Sequence, residues 1–104
     1  MSFRDDFVSA IHQKKLVAVT AKTDEKGIIE RKCVPFDYGP GYRPRDGVDY
    51  YHLRDVDSPD GPHNLTLLPS QLLDLKILDE TFDPKEYVHG RTGWHVSRDW
   101  GRHP

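Results

Sequence analysis

Apolar residues near the start of the chain recur at the spacing of an α-helix. The members of this apolar face are Phe3, Phe7, Ala10 and Ile11. Ser2 can cap the first turn, with Asp5 three residues later, and Lys14 and Lys15 lie where a helix dipole favours cations. These independent features predict a helix over residues 2–15.

After the helix, apolar and polar residues alternate in short segments bounded by turn residues, which is the pattern of half-buried β-strands. Five strands are predicted, over residues 16–22, 28–38, 48–56, 63–68 and 72–78. Gly27 offers a positive φ for the first turn, and Pro59 fits the second position of the turn before the fourth strand. In the fifth strand the alternation predicts Leu73, Leu75 and Ile77 on the buried side.

The order of these elements predicts a mainly β fold of the α+β class. One helix followed by five short strands at hairpin spacing favours a small, strongly bent antiparallel barrel, and an open sheet with the helix on one face is the alternative. Pro35 cannot donate to a strand ladder, so it predicts the end of regular pairing, a bulge or a sheet edge within the second strand. Asp83 and Pro84 predict a short helical turn over residues 83–88, and a tail follows.

The composition is that of one globular domain with a polar surface. The chain has 104 residues and a formal net charge of −2, so no overall attraction draws it to nucleic acid. Residues 89–104 hold three arginines and one aspartate, a net charge of +2, which leaves −4 on the first 88 residues. The single cysteine, Cys33, can form no intrachain disulfide. Without a signal peptide pattern or an apolar run of membrane length, a cytoplasmic location and no membrane partner are expected.

A set of short motifs runs through residues 6–83. They are Arg31 and Pro35, spaced as Arg-x-x-x-Pro; the stretch Tyr51, His52 and Leu53; Asp57 after that stretch; Leu72; and Phe82. In kind and order these residues resemble the motifs of WYL domains. In this register Tyr51-His52-Leu53 stands at the position of the Trp-Tyr-Leu after which the family is named.

The resemblance implies a small SH3- or Sm-like barrel over residues 1–88, followed by a basic tail at residues 89–104. WYL domains usually occur in bacterial transcription regulators and defence-related proteins, and they are thought to bind nucleic-acid-derived or other anionic ligands. His63 and Gln71 stand where the family tends to have arginines. Because the one predicted helix leads directly into a strand, a stand-alone module without a helix-turn-helix domain is expected.

Strand alternation places Tyr50, His52 and Arg54 on one face of the third strand, opposite Tyr51 and Leu53. An aromatic ring, an imidazole and a guanidinium together could stack on a base or pair with a phosphate. The alternative is a solvated outer face. Tyr51 and Leu53 are the expected core residues.

Arg31 shares its strand face with Ile29 and Cys33, so its charge requires a partner. That partner is either an internal carboxylate, Asp55 or Asp57, or a bound anion. The predicted ligand-binding residues are Arg31, Tyr50, His52, Arg54 and Gln71. Their convergence on one cavity would favour ligand binding.

The tail interleaves aromatic residues with cations. Its candidate contact residues are Arg91, Trp94, Arg98 and Trp100. This composition suits stacking with phosphate contact, or anchoring contacts with a protein. The alternatives are a tail that folds back and buries its tryptophans on the barrel, and a flexible tail.

No pattern in the chain predicts catalysis or metal binding. The six histidines show neither an i, i+4 pair nor a Cys-x-x-Cys partner, and Cys33 lies in an apolar strand pattern. We therefore expect a non-enzymatic module without a metal or cofactor that senses a ligand, either a nucleotide or single-stranded nucleic acid. The alternative is a barrel that binds a protein partner or forms a homo-oligomer.

Overall fold

One helix and five strands build the fold, as the sequence pattern predicts. The computed structural model describes residues 3–40, 47–87, 95, 96, 98 and 100. The elements are α1 (Phe3–Gln13), β1 (Lys15–Thr23), β2 (Gly27–Pro40), β3 (Asp49–Asp55), β4 (His63–Leu67) and β5 (Leu72–Thr81), with short 3-10 turns at Pro69–Gln71 and Pro84–Glu86. The fold is mainly β, with an N-terminal helix and a short C-terminal helical turn.

Helix α1 buries one face against the sheet and ends at a left-handed residue. Phe7, Ala10 and Ile11 are buried, as their spacing predicts. Lys14 adopts φ 57°, and its amide donates to the carbonyl of Ile11 at 3.3 Å. The chain therefore turns sharply from the helix into β1, which starts one residue later.

The five strands form one antiparallel sheet in the order β4-β3-β2-β1-β5. The long strand β2 pairs with two neighbouring strands: its residues 27–33 pair with β1, and its residues 33–40 pair with β3. The register shifts between Pro35 and Asp37, which confirms a bulge at the proline. A strand shared in this way, with a bulge in its second half, gives the small barrel-like fold its bend.

Strand β5 departs from the predicted alternation. Its register against β1 shifts between Thr20 and Ala21, whose partners are Asp74 and Leu72, so Leu73 is an extra residue. Leu72 and Leu75 are consequently buried, whereas Leu73 is 46% exposed. The prediction that Leu73 lies on the buried side is therefore wrong, because a bulge resets the side-chain alternation.

This bulge yields a stability prediction for two leucines of the same strand. Leu75→Ala should lower the free energy of unfolding by about 3 kcal/mol, because a buried side chain is removed. Leu73→Ala should cost less than about 1 kcal/mol, because that side chain already contacts water. Urea denaturation of both variants measures the difference, and equal losses would contradict the register described here.

The core lies between α1 and the face of the sheet that carries Tyr51 and Leu53. Phe7 contacts Tyr51 edge-on, with ring centroids 5.0 Å apart. Tyr51 and Leu53 are both buried, which confirms the predicted inward face of β3. The core also includes Phe82 and Trp100. Within the part of the chain that the structure describes, no helix is long and apolar enough to cross a membrane.

Candidate functional site

A cleft opens at one end of the barrel, between the β1–β2 turn and the edge strand β4. Its volume is about 300 Å³. We call it the β4 cleft, and its principal lining residues are Ile29, Arg31, Asp55, His63, Leu65 and Gln71. Apolar side chains from β2 and β4 and polar groups from four chain segments thus meet in one concave site, as is typical of small-molecule sites.

A buried ion pair lies in the wall of the β4 cleft. Nε of Arg31 is 3.3 Å from Oδ2 of Asp55, and the two side chains are 16% and 1% exposed. The carboxylate is therefore the internal partner that the position of Arg31 requires. The pair follows from the register, since Arg31 lies two residues before Cys33, the residue opposite Asp55.

The Arg31–Asp55 pair is incompletely hydrogen-bonded. Nη1 of Arg31 donates to the carbonyl oxygen of Glu30 at 2.8 Å, and Oδ1 of Asp55 accepts from the amide of Asp57 at 3.1 Å. Nε of Arg31 and Oδ2 of Asp55 have no hydrogen-bond partner among the described residues. These two atoms face each other across the ion pair at 3.3 Å, so charge attraction holds them together although the hydrogen-bond geometry is poor.

His63 is the third polar group of the β4 cleft, and sequence reasoning did not place it among the ligand-binding residues. Its Nδ1 donates to the carbonyl oxygen of Gly61 at 3.1 Å. This bond directs Nε2 towards the ion pair, 3.8 Å from Oδ2 of Asp55. The side chain is about half exposed, so a ligand in the cleft can reach it. Its place before the fourth strand, where WYL domains tend to have an arginine, was the signal that could have singled it out.

Gln71 lines the β4 cleft, but backbone groups already occupy both ends of its amide. Oε1 accepts from the amide of Leu68 at 2.9 Å, and Nε2 donates to the carbonyl oxygen of Lys22 at 3.1 Å. Gln71 thereby ties the 3-10 turn between β4 and β5 to the end of β1. Its amide holds the cleft in shape.

The remaining predicted ligand residues lie on the opposite face of β3 from Asp55. Nε2 of His52 donates to the carbonyl oxygen of Gly39 at 3.1 Å, and its ring lies 6.3 Å from that of Tyr50. Arg54 donates from Nη1 to the side-chain oxygen of Asn64 at 3.2 Å. The predicted set therefore divides: Arg31 and Gln71 meet in the cleft, and the other three form a separate outer face.

The β4 cleft carries charges of both signs. Lys26 and Arg31 are its cations, and Asp24, Glu25 and Asp55 are its acids. Lys26 also forms an ion pair with Asp60, which links the β1–β2 turn to the β3–β4 turn and lowers the pKa of Asp60 through a side-chain hydrogen bond. Such a lining suits a ligand that offers both hydrogen-bond donors and acceptors.

A second polar site holds residues of the tail against β2. The carboxylate of Asp37 is buried and accepts from the amides of His95 and Val96 and from Nη2 of Arg98, each at 2.9 Å. Nη1 of Arg98 also donates to the carbonyl oxygen of Phe36. The Arg98 side chain is 0% exposed, and its burial lowers its pKa to about 10 although Asp37 opposes this change. Arg98 therefore remains charged at neutral pH.

Trp100 continues this docked segment into the core. Its Nε1 donates to the carbonyl oxygen of Ile11 at 2.9 Å, and its ring meets that of Phe82 at 5.4 Å. The guanidinium of Arg98 lies 4.5 Å above the Trp100 ring. For these two residues the structure has the folded-back arrangement that was one of three alternatives. The other two candidate tail residues, Arg91 and Trp94, lie outside the described residues.

Sequence reasoning also missed Asp37 and Gly39, the two β2 residues that shape the docking site. Asp37 lies between the aromatic residues Phe36 and Tyr38, and an acid at such a strand position was the available signal. A methyl group added at Gly39 would stand 2.6 Å from the ring of His95, so only glycine leaves room for the docked tail. The register of β2 against β3 shifts directly before Asp37.

Two other kinds of chemistry concern the thiol of Cys33 and the binding of a metal ion. Burial raises the pKa of the Cys33 thiol, which is therefore protonated at neutral pH. Among the described residues, no group of three or more His, Cys, Asp or Glu side chains is arranged to hold a metal ion. The β4 cleft and the docked tail are thus the two sites with unusual polar burial.

Comparisons of the chain with family models, with curated proteins and with solved structures return no match. Roles for Arg31, His63 and Asp37 therefore rest on their geometry and chemistry. The small barrel-like fold is generally compatible with the SH3-like architecture that the short WYL-type motifs imply.

Proposed function

We propose that this chain is a non-enzymatic, cytoplasmic sensing module of WYL type whose ligand enters the β4 cleft. The observation that supports this most is the convergence of Arg31, Asp55 and His63 on one concave site, where Nε of Arg31 and Oδ2 of Asp55 form a buried ion pair and make no hydrogen bond among the described residues. A purely structural ion pair of this burial would be expected to satisfy its polar atoms. Retaining it incompletely bonded favours a binding role.

The size and lining of the β4 cleft indicate the class of ligand. A volume of about 300 Å³ is at the lower end of the range for small-molecule sites. Leu65 offers an apolar wall for a flat ring, and Arg31 and Lys26, which are paired with Asp55 and Asp60, add N–H donors for an acidic group. A nucleotide combines a flat ring with an acidic group, and a nucleotide unit of single-stranded nucleic acid presents the same groups.

A ligand panel with matched variants tests this function. We expect one of the nucleoside monophosphates or short single-stranded oligonucleotides, at low salt, to raise the melting temperature. A ligand at a hundredfold excess over its Kd contributes about 2.7 kcal/mol, which corresponds to roughly 10 °C for a domain of this size. His63→Ala should weaken binding by about tenfold, because one polar contact with the ligand is lost.

The matched control lies on the other face of the sheet. Arg54→Gln removes a cation outside the cleft and should leave affinity for the bound nucleotide unchanged in isothermal titration calorimetry. If Arg54→Gln abolishes binding and His63→Ala does not, the ligand sits on the outer face and the cleft assignment is wrong. If no nucleotide or oligonucleotide shifts the melting temperature, the proposed function fails.

A further inference from the structure

Four described tail residues, His95, Val96, Arg98 and Trp100, contact the barrel in the way that a peptide ligand contacts its receptor. We propose that the barrel carries a peptide-binding site for a segment in which an arginine is followed two residues later by a tryptophan, and that the tail of a second copy of this chain can occupy it. We call it the Asp37 site, and its residues are Ile11, Phe36, Asp37, Gly39 and Phe82.

Backbone recognition at the Asp37 site comes from one carboxylate. Asp37 accepts from two consecutive amides, those of His95 and Val96, each at 2.9 Å. These bonds define the path of the peptide whatever its side chains are. Gly39 adds a steric requirement, since it lets the ring of His95 approach β2 closely. Asp37 therefore binds the backbone of the segment independently of the identity of its side chains.

Side-chain recognition comes from the arginine and the tryptophan. The guanidinium of Arg98 is fully buried and donates both to Asp37 and to the carbonyl oxygen of Phe36, a forked arrangement that lysine cannot reproduce. Trp100 is buried between Arg98 and Phe82, and its indole donates to the carbonyl oxygen of Ile11. Arginine and tryptophan are the residues that most often anchor protein interfaces.

A second copy is the occupant that the charges and connectivity favour. The residues of the Asp37 site lie within 11–82, and the tail residues that bind to it lie within 95–100. The same contacts can therefore form between two copies of the chain. The acidic first 88 residues attract a basic tail from any copy. In one chain, the attached tail has a high effective concentration and occupies its own site first. Exchange between copies therefore becomes visible when docking within each chain is blocked.

Two complementary variants of the full chain test the exchange. Gly39→Ala closes the site against His95 and leaves the tail intact, whereas the double variant Arg98→Gln with Trp100→Ala disables the tail and leaves the site intact. Each variant alone should be a monomer by light scattering. Their mixture should form a one-to-one complex, with the tail of the first variant in the site of the second.

Adding His95→Gly to Gly39→Ala supplies the control. It removes the side chain that the new methyl group would meet, so the tail can dock in its own chain again and complex formation should fall by about tenfold or more. A mixture that stays monomeric while both variants keep their circular dichroism spectra would overturn the proposal.

A cleavage experiment decides the question if the tail variant fails to fold. A protease site introduced between Gly90 and Arg91 of the otherwise unaltered chain is cut after folding, and the product is passed through gel filtration. Co-elution of the tail fragment, and its replacement by a labelled peptide of residues 91–104, would support a peptide-binding site. A fragment that leaves a folded barrel shows too little affinity, and a barrel that unfolds on release shows that the site cannot exist empty and so cannot receive a peptide; either result would refute the site.

Discussion

Replacing Arg31 by leucine should lower the free energy of unfolding by about 4 kcal/mol, one of the two largest effects expected in this chain. The substitution leaves the carboxylate of Asp55, whose side chain is 1% exposed, without its cation at 3.3 Å. An uncompensated buried charge costs far more than the removed pair contributed. Denaturation in urea at neutral pH measures the loss as a lower midpoint with an unchanged slope.

Two further variants separate the charge effect from the loss of the side chain. Arg31→Leu combined with Asp55→Asn should recover part of the lost stability, because the stranded group is then neutral. Arg54→Leu removes the same kind of residue from the outer face, where its guanidinium donates a hydrogen bond to Asn64. This variant should lower the free energy of unfolding by about 0.5 kcal/mol. If the Arg54 variant were as unstable as the Arg31 variant, burial of the Arg31–Asp55 pair would not be the cause.

Phe7→Ala should lower the free energy of unfolding by about 4 kcal/mol. The ring is completely buried and packs edge-on against Tyr51, which joins α1 to β3. Removing it leaves a cavity that the rigid sheet cannot fill. In a domain whose total stability is on the order of 10 kcal/mol, the melting temperature should fall by roughly 15 °C.

The control for Phe7 is Ile28, an apolar side chain that is 66% exposed. Ile28→Ala should change the melting temperature by no more than a few degrees, since little apolar surface returns to water. Calorimetry of both variants makes the comparison. A small effect of Phe7→Ala would mean that α1 contributes little to the barrel, in conflict with the packing described here.

Local chemistry made the fold largely predictable. The spacing of apolar residues predicted the helix. Gly27 has φ 68°, as the prediction of a positive φ in the first turn requires. The bulge at Leu73 was not predictable, because an inserted residue changes which neighbours face inward without changing the pattern of leucines and acids. Pro35 did indicate the bulge in β2, because proline lacks the N–H group that strand pairing requires.

The candidate site was predictable in its parts and not in its assembly. Alternation correctly separated Tyr50 and His52 from Tyr51, and the charge of Arg31 required a partner such as Asp55. Which strand face borders a cleft depends on how β4 and the β1–β2 turn approach each other, and that is a tertiary property. The role of Asp37 depends on contacts with residues 58 to 61 positions away, which no local pattern encodes.

The hydrogen bond from Trp100 to the carbonyl oxygen of Ile11 spans 89 residues of the chain. A contact between such distant residues carries a large loop-closure entropy and is expected to form after the barrel has condensed. Interactions that form late leave the rate of folding almost unchanged and slow the rate of unfolding. The docked tail would then lengthen the lifetime of the folded barrel by slowing its unfolding, without changing how fast the barrel folds.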